Sequence, residues 1–186
     1  GNPVEIAVNE DAATAAIVFK TVVDPFIGKL TFVKVVAGKL TADSPVINMR
    51  TGEQERMIKM YYMCGKKQEE TKCICAGDIG AIPKLQHTNT GDTLCSPTRK
   101  VVLEGVTYPE PVLSMAILPK QKGEEDKVAQ GVLRLLEEDP TLKFVNNAET
   151  HQMILSGLGE QHLDVVVSKL KGKFGLDVTL EKPKVA

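Results

Sequence analysis

The apolar residues of this chain change their spacing once, and that change limits what it can fold into. Up to Cys95 they come in short runs broken by Gly, Pro, Asp and Asn, the rhythm of strands joined by turns. Strands are expected over 15–23, 29–37, 45–49, 55–62, 70–75, 79–83 and 93–95. Asp24-Pro25 presets one turn, and Thr51-Gly52-Glu53 closes a hairpin. Beyond Pro109 the period lengthens. Val128, Val132, Leu135 and Leu136 recur at i, i+4, i+7 and i+8, an apolar stripe on a helix that starts near Gly123 and is halted by Asp139-Pro140. Leu163, Val166, Val167, Leu170 and Phe174 share one face of a second helix, with Glu160 in its first turn and Gly175 as its stop. Strand-like runs at 112–118, 143–147, 152–155 and 177–180 surround these helices. The order is β-α-β-β-α-β, the split arrangement that folds as one antiparallel sheet with both helices on one face.

The expected architecture is therefore an all-β barrel over 1–107 followed by a ferredoxin-like α+β domain over 108–186. Two prolines and a glycine between Gly105 and Pro111 interrupt the pattern at the boundary. Gly1 in place of an initiator Met, and the stop at Ala186 after a Pro-containing strand pattern, fit a piece cut from a longer chain.

Composition narrows the function. At 42% hydrophobic and 25% charged, the 186 residues are ordinary for a folded soluble protein. The 23 Lys and Arg nearly balance 24 Asp and Glu, so an RNA contact must use a local patch rather than a net field. No apolar run approaches the roughly 20 residues of a membrane span and no secretory leader is visible, so a cytoplasmic location is expected.

No G-x-x-x-x-G-K-S/T phosphate loop occurs, so GTP is not expected to bind here. The nearest imitation, Ser156-Gly157-Leu158-Gly159-Glu160, lacks a Lys and places Glu160 where phosphate would sit. A tight turn needing small residues accounts for it better. Cys73-x-Cys75 is not a C-x-x-C zinc knuckle. On a strand both thiols point to one face, and buried small hydrophobes are the simpler reading, with Cys64 and Cys95 on neighbouring strands. His87, His151 and His162 show no metal or metalloprotease spacing. His162, one residue before the apolar stripe, belongs at the edge of an interface or packed within the domain. Ser156 lacks a nucleophile-elbow context. Lysines gather at 66–67, 120–122 and 169–173. For the last group a solvated face complementing a helix C-terminus is preferred to an RNA contact.

Several longer strings carry more information than any single residue. Asp24-Pro-Phe-Ile-Gly-Lys-Leu-Thr-Phe-Val-Lys-Val35, Ala76-Gly-Asp-Ile-Gly-Ala81 and Thr90-Gly-Asp-Thr-Leu-Cys95 resemble the second domain of elongation factor G. Pro109-Glu-Pro-Val112, Glu137-Glu-Asp-Pro-Thr141 and Ser156-Gly-Leu-Gly-Glu-Gln-His-Leu-Asp164 resemble its third. The resemblance spans essentially the whole chain in family order.

It implies a translation-factor barrel touching small-subunit ribosomal RNA. It also implies a third domain packed between the GTPase domain, a ribosomal protein and the tip domain, and contributing to the fusidic acid pocket. The complete factor would be a monomeric GTPase using GTP and Mg to drive translocation on the ribosome. This piece would hold neither catalytic residues nor cofactor, and its partners would include the GTPase and C-terminal domains of its own chain. Gly157, Gly159, Glu160 and His162 would belong to the GTPase-facing segment, and Arg56, Lys59, Lys66 and Lys67 to a ribosome-binding surface. The usual motif has Met and Leu where this chain has Leu158 and Gln161, and 61–67 differs from the commonest bacterial version, which fits a divergent member or a paralogue. A ribosome-protection or release-type relative and a standalone RNA-binding module are the alternatives.

Overall fold

The computed structural model describes residues 4–24, 28–65, 67–147 and 150–184. The expected turn at Asp24-Pro25 and the Lys66 assignment involve positions outside them. The chain divides into two compact units, Gly1–Val106 and Thr107–Ala186.

The first unit contains ten strands: β1 (Ala15–Asp24), β2 (Gly28–Ala37), β3 (Lys39–Thr41), β4 (Pro45–Asn48), β5 (Gln54–Arg56), β6 (Met60–Cys64), β7 (Lys67–Thr71), β8 (Cys73–Cys75), β9 (Ile79–Pro83) and β10 (Thr93–Cys95). Eight of them form one curled half-barrel sheet in the order β5-β4-β10-β1-β2-β9-β6-β7, and β3 pairs with β8 in a separate ribbon. Alternation decides which side chains face the half-barrel's interior. Along β2, Val33 and Val35 are fully buried while Lys34 between them is not, and Leu40, Met57, Met60, Ile74, Ile82 and Leu94 fill the same interior. As expected, the turn at Thr51–Glu53 joins β4 antiparallel to β5.

Two expected strands are broken. The run over 55–62 divides into β5 and β6 because Met57 is buried and its carbonyl accepts the Asp43 N–H at 2.8 Å, turning the chain between the two ladders. The run over 70–75 divides at Lys72, whose carbonyl accepts the Ala42 N–H at 2.9 Å.

The second unit is β11 (Leu113–Pro119), α1 (Glu125–Glu138), β12 (Lys143–Asn147), β13 (Gln152–Gly157), α2 (Glu160–Phe174) and β14 (Val178–Glu181). Its sheet order, β12-β13-β11-β14, is antiparallel throughout and is that of a ferredoxin-like fold. Both helices place their stripes on a shared core. Val128, Val132 and Leu135 from α1 and Leu163, Val166 and Leu170 from α2 meet Ile117, Leu155 and Val178 of the sheet. Gly175 ends α2 in the left-handed conformation at φ 67°, returning its N–H to Lys171 and passing Leu176 into the core. Glu138, near the end of α1, takes Lys173 at 2.6 Å and Lys169 at 3.8 Å, while Lys171 pairs with Asp177. The basic cluster of α2 is thus engaged within its own unit.

Candidate functional site

The segment between β13 and α2 is organised by one histidine. β13 delivers Gly157 to the core side of the sheet, the chain turns through Leu158 and Gly159, and α2 begins at Glu160. One turn into the helix, His162 points back at the turn. Its Nδ1 accepts the Leu158 N–H at 3.0 Å, and its Nε2 lies 2.8 Å from Oδ2 of Asp139. Accepting at Nδ1 leaves the ring proton on Nε2, so His162 is the neutral tautomer that donates to Asp139.

Asp139 is fixed in turn by its own sequence. It ends α1, where Pro140 removes the next helical donor, and its Oδ1 accepts the Thr141 N–H at 3.0 Å and the Thr141 hydroxyl at 2.5 Å. Burial works to raise the carboxyl pKa, but the bonds from Thr141 and His162 outweigh it and hold Asp139 below the usual carboxylate range. The Glu137–Thr141 and Ser156–Asp164 strings, separate in sequence, therefore meet through one hydrogen bond.

The two glycines of the turn have different reasons to be there. A Cβ on Gly157 would lie 2.9 Å from both Nδ1 of His162 and Cδ2 of Leu163, so only glycine leaves room for the ring. Gly159 is extended at φ 164° with open space around it, so neither backbone nor packing demands glycine. The tight-turn reading holds for Gly157 and not for Gly159. Glu160 is exposed in the first turn of α2, where its charge complements the helix dipole, and half-exposed Leu158 and Val165 lie near it in sequence on the outer surface.

The barrel carries a second polar constellation that the sequence did not announce. Asp92, 5% exposed, accepts from Arg50 Nε at 2.6 Å and Asn48 Nδ2 at 2.8 Å, together with the Asn89 N–H. Burial pushes its pKa up, yet Arg50 and Asn48 prevail and the net shift is downward. Glu55, equally buried, accepts the His87 N–H at 2.7 Å and the Thr88 hydroxyl at 2.9 Å. Together they hold the loop preceding β10 against the β4–β5 hairpin. The Thr90–Cys95 string was visible, but its partners lie about forty residues earlier and share no motif with it.

The basic residues expected to form a ribosome-binding surface are distributed along the barrel. Arg56 lies on β5 and Lys67 on β7, opposite edges of the sheet order. Arg56 pairs with Asp43 at 3.4 Å and Lys59 with Glu70 at 3.5 Å, both at exposed positions.

The cysteines depart from expectation. Only Cys95 is buried. Cys64 is exposed, and Cys73 and Cys75 are half-buried because Ile74 takes the inward position on β8. Nor are the strands neighbours, since β8 pairs with β3, β10 with β1 and β4, and β6 with β7 and β9. Among the described residues, no group of three or more His, Cys, Asp or Glu is placed to hold a metal ion, and no helix is long and apolar enough to cross a membrane.

Two family models match the chain in succession. Elongation factor G domain 2 matches residues 13–97, and Elongation Factor G, domain III matches residues 108–182. A crystal structure of a protein from Thermus thermophilus superimposes with a TM-score of 0.82 at 30% identity, over 94% of this chain. The chain spans about a quarter of that protein, 26% of its length. A curled β unit followed by a ferredoxin-like unit, with both family strings in order, defines a translation-factor segment. The chain belongs to the elongation factor G family, of which it carries domain 2 and domain III.

Proposed function

We propose that this chain is the non-catalytic centre of an elongation factor G-like protein that promotes GTP-dependent translocation on the ribosome in the cytoplasm. Residues 1–107 act as the anchoring barrel and 108–186 as the relay. The observation that carries the reading is the succession of the two family matches over residues 13–97 and 108–182. In this reading GTP and Mg belong to the GTPase domain of the complete, monomeric factor.

The barrel contacts small-subunit ribosomal RNA through Arg56, Lys59, Lys66 and Lys67. The exposed pairs of Arg56 with Asp43 and Lys59 with Glu70 contribute little in water, so phosphate can displace the acidic partners. The third domain faces the GTPase machinery and a ribosomal protein with the 157–162 segment. Glu160 and Gly159 offer the contact surface, while Gly157 and His162 set the turn from behind.

A relay requires an element whose packing is coupled to its neighbours. The Asp139–His162–Leu158 bridge supplies one, because it ties the end of α1 to the start of α2. Replacing Glu160 by Ala in the complete factor tests this at an exposed position. Slower translocation with nearly unchanged GTP affinity is expected. A large loss of GTP binding, or translocation at the original rate, overturns the role of Glu160.

A further inference from the structure

Cys73 and Cys75 stand on one face of β8 with their sulfur atoms 3.9 Å apart. Ile74 between them is fully buried and fixes the strand's inner face, so alternation turns both thiols outward. The other two cysteines differ in setting: Cys95 is sealed in the barrel core and Cys64 is exposed on β6. The Thr71 and Tyr62 hydroxyls donate to the Cys73 carbonyl at 2.9 and 3.4 Å, the Asp78 N–H donates to the Cys75 carbonyl at 3.0 Å, and β8 pairs along its three residues with β3.

We infer that Cys73 and Cys75 form a reversible dithiol–disulfide site that exchanges with low-molecular-weight disulfides. One cysteine thiolate attacks the small disulfide, forming a mixed disulfide and releasing one small thiol. The second cysteine loses its proton to solvent and attacks the protein sulfur of the mixed disulfide, expelling the second small thiol. The two cysteines are oxidised to one Sγ–Sγ bond, and the small disulfide is reduced to two thiols.

Three observations favour closure within the pair over a lasting mixed disulfide. The sulfurs are already in contact, so the second attack needs side-chain rotation rather than refolding. Both thiols are half-buried, which admits a small oxidant but crowds a retained adduct. Same-face neighbours on a strand lie ~7 Å apart at Cα, at the upper limit for a disulfide, so the bond formed is strained and readily reduced. The neighbouring Cys73 thiol, burial and the carboxylates of Glu10 and Asp78 all raise the Cys75 pKa, which favours its thiol form at rest.

The test uses the reduced chain incubated with oxidised glutathione, alkylated and digested with trypsin. Peptide 73–84 contains both cysteines and neither of the others. Expected is a peptide two hydrogens lighter and free of glutathione, with loss of these two thiols from the four in the chain and full recovery on adding dithiothreitol. Either Cys73→Ser or Cys75→Ser should instead retain glutathione on the remaining thiol. A wild-type peptide that keeps both thiols, or that carries glutathione as its stable product, overturns the inference.

Discussion

Nε2 of His162 lies 2.8 Å from Oδ2 of Asp139, and this contact joins the C-terminus of α1 to the N-terminus of α2. It is the point where two strings separated in sequence become one structural unit. Because Nδ1 of the same ring holds the Leu158 N–H, loss of His162 strands both a carboxylate oxygen and a backbone donor.

His162→Ala and Asp139→Ala should each destabilise the ferredoxin-like unit by about 1–3 kcal/mol, the cost of leaving part-buried polar groups unpaired. A double-mutant cycle followed by denaturant unfolding should show coupling of roughly 0.5–3 kcal/mol. Strict additivity would mean that the bond contributes nothing of its own.

Gly157 and Gly159 should respond oppositely to alanine. At Gly157 the new methyl meets His162 and Leu163 at 2.9 Å, and overpacking of this kind costs about 1–3 kcal/mol. At Gly159 the methyl enters open space on an extended backbone, and the change should stay within about 1 kcal/mol. Thermal unfolding of the two variants side by side separates these outcomes.

Acid should weaken both units. Asp92 and Asp139 have folded pKa values below their unfolded ones, so each contributes stability that is present above the unfolded value of about 3.9 and is lost as pH falls through the folded value. Asp92→Asn and Asp139→Asn should be less stable at neutral pH and show a shallower loss of stability below about pH 4 than the parent chain.

Tyr62 provides a spectroscopic reporter within the barrel. Burial, together with the hydrogen bond of its hydroxyl to Asp78 at 2.9 Å, pushes its pKa up to about 12. Alkaline titration by ultraviolet absorbance should show a tyrosine component ionising near that pH, and Tyr62→Phe should remove it. Survival of that component in the variant would place it on another tyrosine.

The sequence made the ferredoxin-like unit easier to read than the barrel. Val128, Val132 and Leu135, like Leu163, Val166 and Leu170, repeat at helical spacing over several turns, and Pro140 and Gly175 mark where each helix ends. In the barrel, β3 and β8 have three residues each, too few to establish a period. The breaks at Met57 and Lys72 are caused by carbonyl bonds to Asp43 and Ala42 in the turn between β3 and β4, which no local pattern records. The same holds for polar residues. Asp92 and Glu55 look like surface acids in sequence and are buried because their donors arrive from distant segments. Gly157, Glu160 and His162 stood out as a string, but the reason Gly157 is needed appears only once the His162 ring is placed against it.

Competition between this chain and complete elongation factor G for ribosomes, repeated across salt concentrations, tests the central claim most directly. The account predicts displacement that weakens as salt rises, because part of the binding comes from cationic side chains on phosphate. No displacement at low salt would contradict a ribosome-anchoring role for these two domains.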